Sequence, residues 1–125
     1  MSENELSYII RGAIFKVYNN LGPGLFESVY ETSLAHELTK EGLKVRRQVS
    51  LPLVYDTIKL ELGFRIDLLV EDKVIIEVKS VDAVGGIHHK QLLTYLTLAK
   101  KKLGLLVNFN TAEIDKSIFR KVNGL

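Results

Sequence analysis

The stretch Lys73-Val74-Ile75-Ile76-Glu77-Val78-Lys79 constrains the fold of this chain more than any other. It reads as a strand, and a strand this apolar belongs inside a sheet. Side chains alternate along a strand, so Glu77 and Lys79 share one face while Ile76 and Val78 take the other. Two charges on one face of a central strand need partners, a metal or water, because unpaired buried charge is costly.

The elements around it follow from periodicity and punctuation. Leu6, Ile9, Ile10, Ala13, Ile14 and Val17 recur at helical spacing, which predicts a helix over about 4–20. Asn19-Asn20-Leu21-Gly22-Pro23-Gly24 breaks it, and a second helix over about 25–41 carries Val29, Leu34 and Leu38 on its apolar side before Gly42. Strands are predicted at about 44–55, 58–70 and 73–79, a helix at about 85–101 and a strand at 103–109. Residues 113–122 suit either a strand or an irregular tail. A meander followed by one helical crossover predicts a mixed four-stranded sheet flanked by helices, its fourth strand parallel to its third.

The 125 residues hold one domain's worth of core, with no repeat, low-complexity tract or linker. No cysteine is present, which excludes disulfides, thiolate-bound metals and a Cys nucleophile and suits a reducing cytoplasm. No apolar run approaches the roughly 20 residues that span a bilayer, and acids stand where a signal peptide would be basic. No membrane partner is therefore expected. The net charge of +2 neither demands nor forbids a nucleic-acid partner.

Asp67, in Phe64-Arg65-Ile66-Asp67, lies on the strand before Glu77. Whether the two meet depends on the hairpin register. A two-residue turn at Glu71-Asp72 pairs Asp67 with Ile76 and sends Glu77 to the opposite face. A three-residue loop or a bulge brings Asp67 opposite Glu77. If they meet, Asp67, Glu77 and Lys79 suit hydrolysis of a phosphodiester: carboxylates for a hard divalent ion, and an ammonium to orient water or stabilise developing charge. Alone, Glu-x-Lys on a strand is far more often a surface ion pair worth little than a catalytic pair.

The helices offer further groups. Glu27 and Tyr30 share a face at the start of the second helix, where Glu27 suits a third carboxylate, reaching a metal directly or through water. The bland alternative is a helix-start acid beside a core tyrosine. In the third helix His88, Gln91 and Tyr95 form a polar-aromatic stripe, with Gln91 and Tyr95 placed to touch the site or a phosphate and His88 a substrate contact. Arg65, two residues from Asp67, is expected on its face, pairing with a carboxylate or clamping a phosphate. Arg46, Arg47, Lys90, Lys100-Lys101-Lys102, Lys116, Arg120 and Lys121 are further phosphate candidates, although lysines at a helix C-terminus also complement its dipole.

Taken together these residues resemble the PD-(D/E)XK nuclease superfamily. Asp67 stands at the acid position of the second core strand, and Glu77 and Lys79 form the Glu-x-Lys of the third; Ile66 replaces the proline. A closer similarity is to the GxxExxY family within it, through Gly24-Leu25-Phe26-Glu27-Ser28-Val29-Tyr30, Phe64–Leu68, Ile76–Lys79, Gln91–Leu96 and Leu103–Phe109. The pair Gln91 and Tyr95 looks like the glutamine–tyrosine motif of RecB-type nucleases. The resemblance implies an α/β (α+β) restriction-endonuclease-like αβββαβ core with one extra N-terminal helix. It also implies Mg²⁺- or Mn²⁺-dependent cleavage of nucleic acid, with DNA ranked ahead of RNA and the choice between them left open by the sequence. Asp67, Glu77 and Glu27 would hold metal, Lys79 and Gln91 would join them in catalysis, and Tyr30, Arg65, His88 and Tyr95 would meet substrate. A homodimer is a reasonable assembly. The superfamily has members without catalysis, so a nucleic-acid-binding or protein-interaction module on the same fold competes with the nuclease.

Overall fold

The computed structural model describes the backbone of residues 1–125 and every side chain except that of Leu62. Helix α1 (Glu3–Leu21) opens on a capping box in which Ser2 and Glu5 satisfy each other's backbone N–H groups. It buries Leu6, Ile10, Ala13, Ile14 and Val17. Helix α2 (Glu27–Lys40) buries Tyr30, Leu34, Ala35 and Leu38, so its core stripe runs through Tyr30 and leaves Val29 exposed, contrary to expectation. Gly42 reverses the chain after α2 with φ of 83°, a conformation that costs glycine little.

Five strands form one sheet in the order β1 (Val45–Tyr55), β2 (Ile58–Val70), β3 (Val74–Lys79), β4 (Leu103–Asn108) and β5 (Ile118–Val122). The expected four strands are present, and the ambiguous C-terminal segment adds the fifth, antiparallel to β4. Helix α3 (Gly86–Ala99) carries the chain from β3 to a parallel β4, as a crossover between parallel strands requires. Where α3 crosses the sheet, a Cβ on Gly104 would stand 2.8 Å from Leu92 Cδ1, so only glycine lets helix and strand approach this closely.

The sheet separates two cores. Leu68, Val70, Val74, Ile76, Val78, Leu105 and Val107 pack under α1 and α2. Ile66, Leu69, Ile75 and Leu106 pack with Leu92 and Leu96 of α3. β3 is buried from Val74 to Val78, which makes it the central strand its composition predicts. Among the described residues no helix is long and apolar enough to cross a membrane.

Candidate functional site

The β2–β3 connection has three residues, Glu71, Asp72 and Lys73, because Val70 pairs with Val74. Glu71 and Asp72 both hold positive φ, 52° and 55°, and the Lys73 N–H closes the turn on the Val70 carbonyl at 3.0 Å. The odd residue sets the register: Leu68 faces Ile76 in the outermost regular pair, and the same register continued outward brings Asp67 to Glu77. Of the two registers left open by the sequence, this is the one that unites the acids.

The regular ladder stops there, and side chains take over its bonding. Glu77 Oε2 accepts the Asp67 N–H at 2.8 Å, and Asp67 Oδ2 accepts the Val78 N–H at 2.8 Å. Both neighbouring strands change face at this level. Val45 packs with the α1/α2 core and Val49 with the α3 core, although an even spacing should keep them together. Between them Gln48 adopts φ of 49°. On β2 the same inversion separates Ile66 from Leu68, with Asp67 between them. At this double irregularity the exposed Gln48 reaches the acids: its Nε2 donates to both Asp67 Oδ1 and Glu31 Oε1.

Glu31 is the functional candidate the sequence reading missed. It is buried on α2, and its Oε2 accepts from Arg47 Nη2 at 3.1 Å. Its charge acts on both Asp67 and Glu77. A signal existed: Glu27 and Glu31 are four apart and share a helix face. Gln48 gave no such signal, because its placement beside the acids goes with a positive-φ backbone that composition does not announce. A cleft of about 350 Å³ is lined by Glu27, Ser28, Glu31, Gln48 and Asp67.

Electrostatically the site is an anion pair short of positive charge. Burial, reinforced by the charge of Asp67, pushes the Glu77 carboxyl up to about 8. Burial also raises Asp67, against the opposing pull of its bond from Val78. Lys79 lies on the same face of β3 as Glu77 and stabilises both carboxylates, without overcoming the desolvation.

The other expected site residues divide. Glu27 lines the cleft, and its Oε2 accepts the Ser80 N–H at 3.1 Å, which ties α2 to the end of β3. Tyr95 is half-buried and stacks on Phe64 with ring centroids 4.8 Å apart. Burial first, and then the Glu77 and Asp67 charges, raise its phenol, which places it beside the acids. Gln91 is exposed on the same helix, one turn earlier. Tyr30 does not face a substrate. It is fully buried, stacks on Phe109 at 4.4 Å, and its hydroxyl donates to the Gly22 carbonyl and accepts the Leu25 N–H. It anchors the loop leading to Glu27, the core-tyrosine alternative. His88 accepts the Gly85 N–H on Nδ1 and so caps α3. Arg65 is exposed and forms no ion pair among the described residues, so the expected pairing with a carboxylate is absent. Of the basic candidates, Arg47 is engaged by Glu31, Lys101 by Asp72 and Lys116 by Glu113.

Among the described residues no three His, Cys, Asp or Glu side chains form a ready-made metal cage. The donor set nevertheless fits a hard ion such as magnesium, which commonly binds through one or two carboxylates and completes its shell with water and phosphate oxygens. Asp67 and Glu77 supply two adjacent carboxylates whose mutual repulsion a cation would relieve.

A family model described as the PD-(D/E)XK nuclease superfamily matches residues 4–121. The chain therefore belongs to the PD-(D/E)XK nuclease superfamily, and its sheet and helices are consistent with the restriction-endonuclease-like fold. Members of this superfamily are usually nucleases and generally use divalent metals. No curated protein and no solved structure matches the chain.

Proposed function

We propose that this chain is a divalent-metal-dependent nuclease that hydrolyses phosphodiester bonds in nucleic acid, DNA rather than RNA, as a single domain of the GxxExxY type. The reading rests above all on the meeting of Asp67 and Glu77, each carboxylate bonded to the other strand's backbone, with Lys79 on the same face of β3 as Glu77.

Asp67 and Glu77 are the metal ligands in this reading, with magnesium or manganese as the ion and Glu27 and Glu31 as further acids at the rim. A bound ion polarises the scissile phosphoryl group and lowers the pKa of an attacking water. Each carboxylate is held by a backbone N–H bond, so neither must reorganise when a ligand arrives. Lys79 orients the water and stabilises the charge that develops on the phosphorus oxygens. Tyr95 and Gln91, on successive turns of α3, meet the substrate backbone from the other side of the cleft.

The test is cleavage of a DNA and RNA panel with Mg²⁺ or Mn²⁺ by wild type, Asp67→Ala and Lys79→Ala. Metal-dependent cutting lost in both variants, with folding retained, supports the reading. Cutting that survives in the pure double variant ends it.

A further inference from the structure

The Ser80 N–H donates to Glu27 and so links two clefts, Glu27 lining one and Ser80 the other. The first is the acidic cleft; the second, of about 350 Å³, is lined by Gly24, Leu25, Phe26, Val29, Ser80 and Asn110. That volume falls in the roughly 300–1,000 Å³ range of small-molecule sites. Its most prominent wall is Phe26, which is 82 % exposed. Phe26 occupies the N-cap of α2 and makes no side-chain cap bond there, whereas Ser, Thr, Asp or Asn at this position would satisfy a free N–H. A local rule is broken at the residue next to Glu27, and such breaks concentrate at functional sites.

The cleft is held rigidly. The Leu25 N–H donates to the Tyr30 hydroxyl, and the Leu25 carbonyl accepts the Ser80 hydroxyl at 2.6 Å. Asn110 spends its Nδ2 on the Val81 carbonyl, which leaves Oδ1 for a donor on a ligand. Leu25 and Val29 add exposed apolar surface at 40 % and 38 %. A flat aromatic face, aliphatic walls and one amide acceptor match an unstacked nucleobase: aromatic side chains bind bases of any sequence through their π-faces.

We propose that this cleft seats one unpaired nucleobase of the substrate, stacked on Phe26, while the adjoining phosphate enters the acidic cleft beside Asp67. The substrate is then a single strand, or the single-stranded part of a branched nucleic acid, and the duplex is a poor ligand. The identity of the ligand rests on the nuclease reading above, but its test does not require cleavage.

The experiment measures binding of a fluorescein-labelled 20-mer oligodeoxynucleotide, single-stranded and as its duplex, in Ca²⁺, a hard cation that offsets the carboxylates of the acidic cleft. Wild type, Phe26→Ala and Phe26→Tyr are compared, with thermal melts as a folding check. The expected result is preference for the single strand, a loss of about tenfold in Phe26→Ala, retention in Phe26→Tyr, and no change on duplex. Equal affinity of wild type and Phe26→Ala for the single strand overturns the proposal, as does an equal loss on both ligands or no single-strand binding. The same oligonucleotides are then incubated with Mg²⁺ or Mn²⁺. Phe26-dependent binding without cleavage leaves the base cleft standing and removes the nuclease reading. Lys79-dependent cleavage with unchanged binding by Phe26→Ala does the reverse.

Discussion

Asp67 and Glu77 replace two rungs of the sheet's own hydrogen-bond ladder: Glu77 Oε2 accepts the Asp67 N–H, and Asp67 Oδ2 accepts the Val78 N–H, each at 2.8 Å. The bonds fix both carboxylates at the point where β2 and β3 diverge. They also hold two like charges together in a desolvated place, an arrangement that costs stability and is retained where function needs it.

One consequence concerns pH. The Glu77 carboxyl is raised from 4.5 to about 8 in the folded protein. Between those values the native state binds more protons than the unfolded chain, so metal-free stability falls as pH rises from about 4.5 towards 8. The slope is at most about 1.4 kcal/mol per pH unit for one proton. Urea denaturation in EDTA across that range should show the decline, and Mn²⁺ should flatten it by favouring the ionised form. A metal-free stability that climbs from pH 5 to pH 8 would contradict the assignment.

Removing the charge should stabilise the fold while ending the chemistry. Glu77→Gln keeps an acceptor for the Asp67 N–H and loses the buried anion. The midpoint in urea at pH 8 without metal should rise, by about 1–3 kcal/mol in unfolding free energy. Mn²⁺ affinity by calorimetry should fall below detection. A variant less stable than wild type at pH 8 would show the charge to be compensated in the native protein.

Glu31 and Glu27 can be separated. The charge of Glu31 acts on Asp67 and Glu77, whereas Glu27 is exposed and engaged by the Ser80 N–H. Glu31→Gln should therefore weaken Mn²⁺ binding more than Glu27→Gln does, by about tenfold, or roughly 1.4 kcal/mol. The reverse order would restore Glu27 as the main third acid.

The Tyr30 hydroxyl anchors the loop that leads to Glu27. Tyr30→Phe keeps the stack on Phe109 and removes the hydroxyl that bridges the Gly22 carbonyl and the Leu25 N–H. Loss of about 1–3 kcal/mol in urea denaturation is expected, from a buried bond and an orphaned N–H. Unchanged stability would mean that water or a rearranged loop replaces the bridge.

How much of this was legible in the sequence depends on the range of the interaction. The helices and the central strand were readable because burial imposes a period on the residues themselves, as in Leu6–Val17 and Val74–Val78. The union of Asp67 with Glu77 was readable only as a condition, because one residue of turn length, Lys73, decides the face. β5 was ambiguous: its residues Ile118–Val122 are at most half-buried, so the pattern is weak. The core place of Tyr30 was readable as an alternative, but not its bond to a loop eight residues away, nor the role of Gln48, which needs a left-handed backbone within a strand.

In the proposed mechanism Asp67, Glu77 and Lys79 act together to cut a phosphodiester. The most direct measurement is cleavage of single-stranded, duplex and branched DNA and of RNA, with Mg²⁺ and Mn²⁺, run beside folded Lys79→Ala protein. Wild type should give metal-dependent products and Lys79→Ala at least about a hundredfold less, the loss typical of one electrostatic or acid–base group. Equal cleavage by the two proteins, or no cleavage of any substrate by wild type with either metal, would contradict the mechanism.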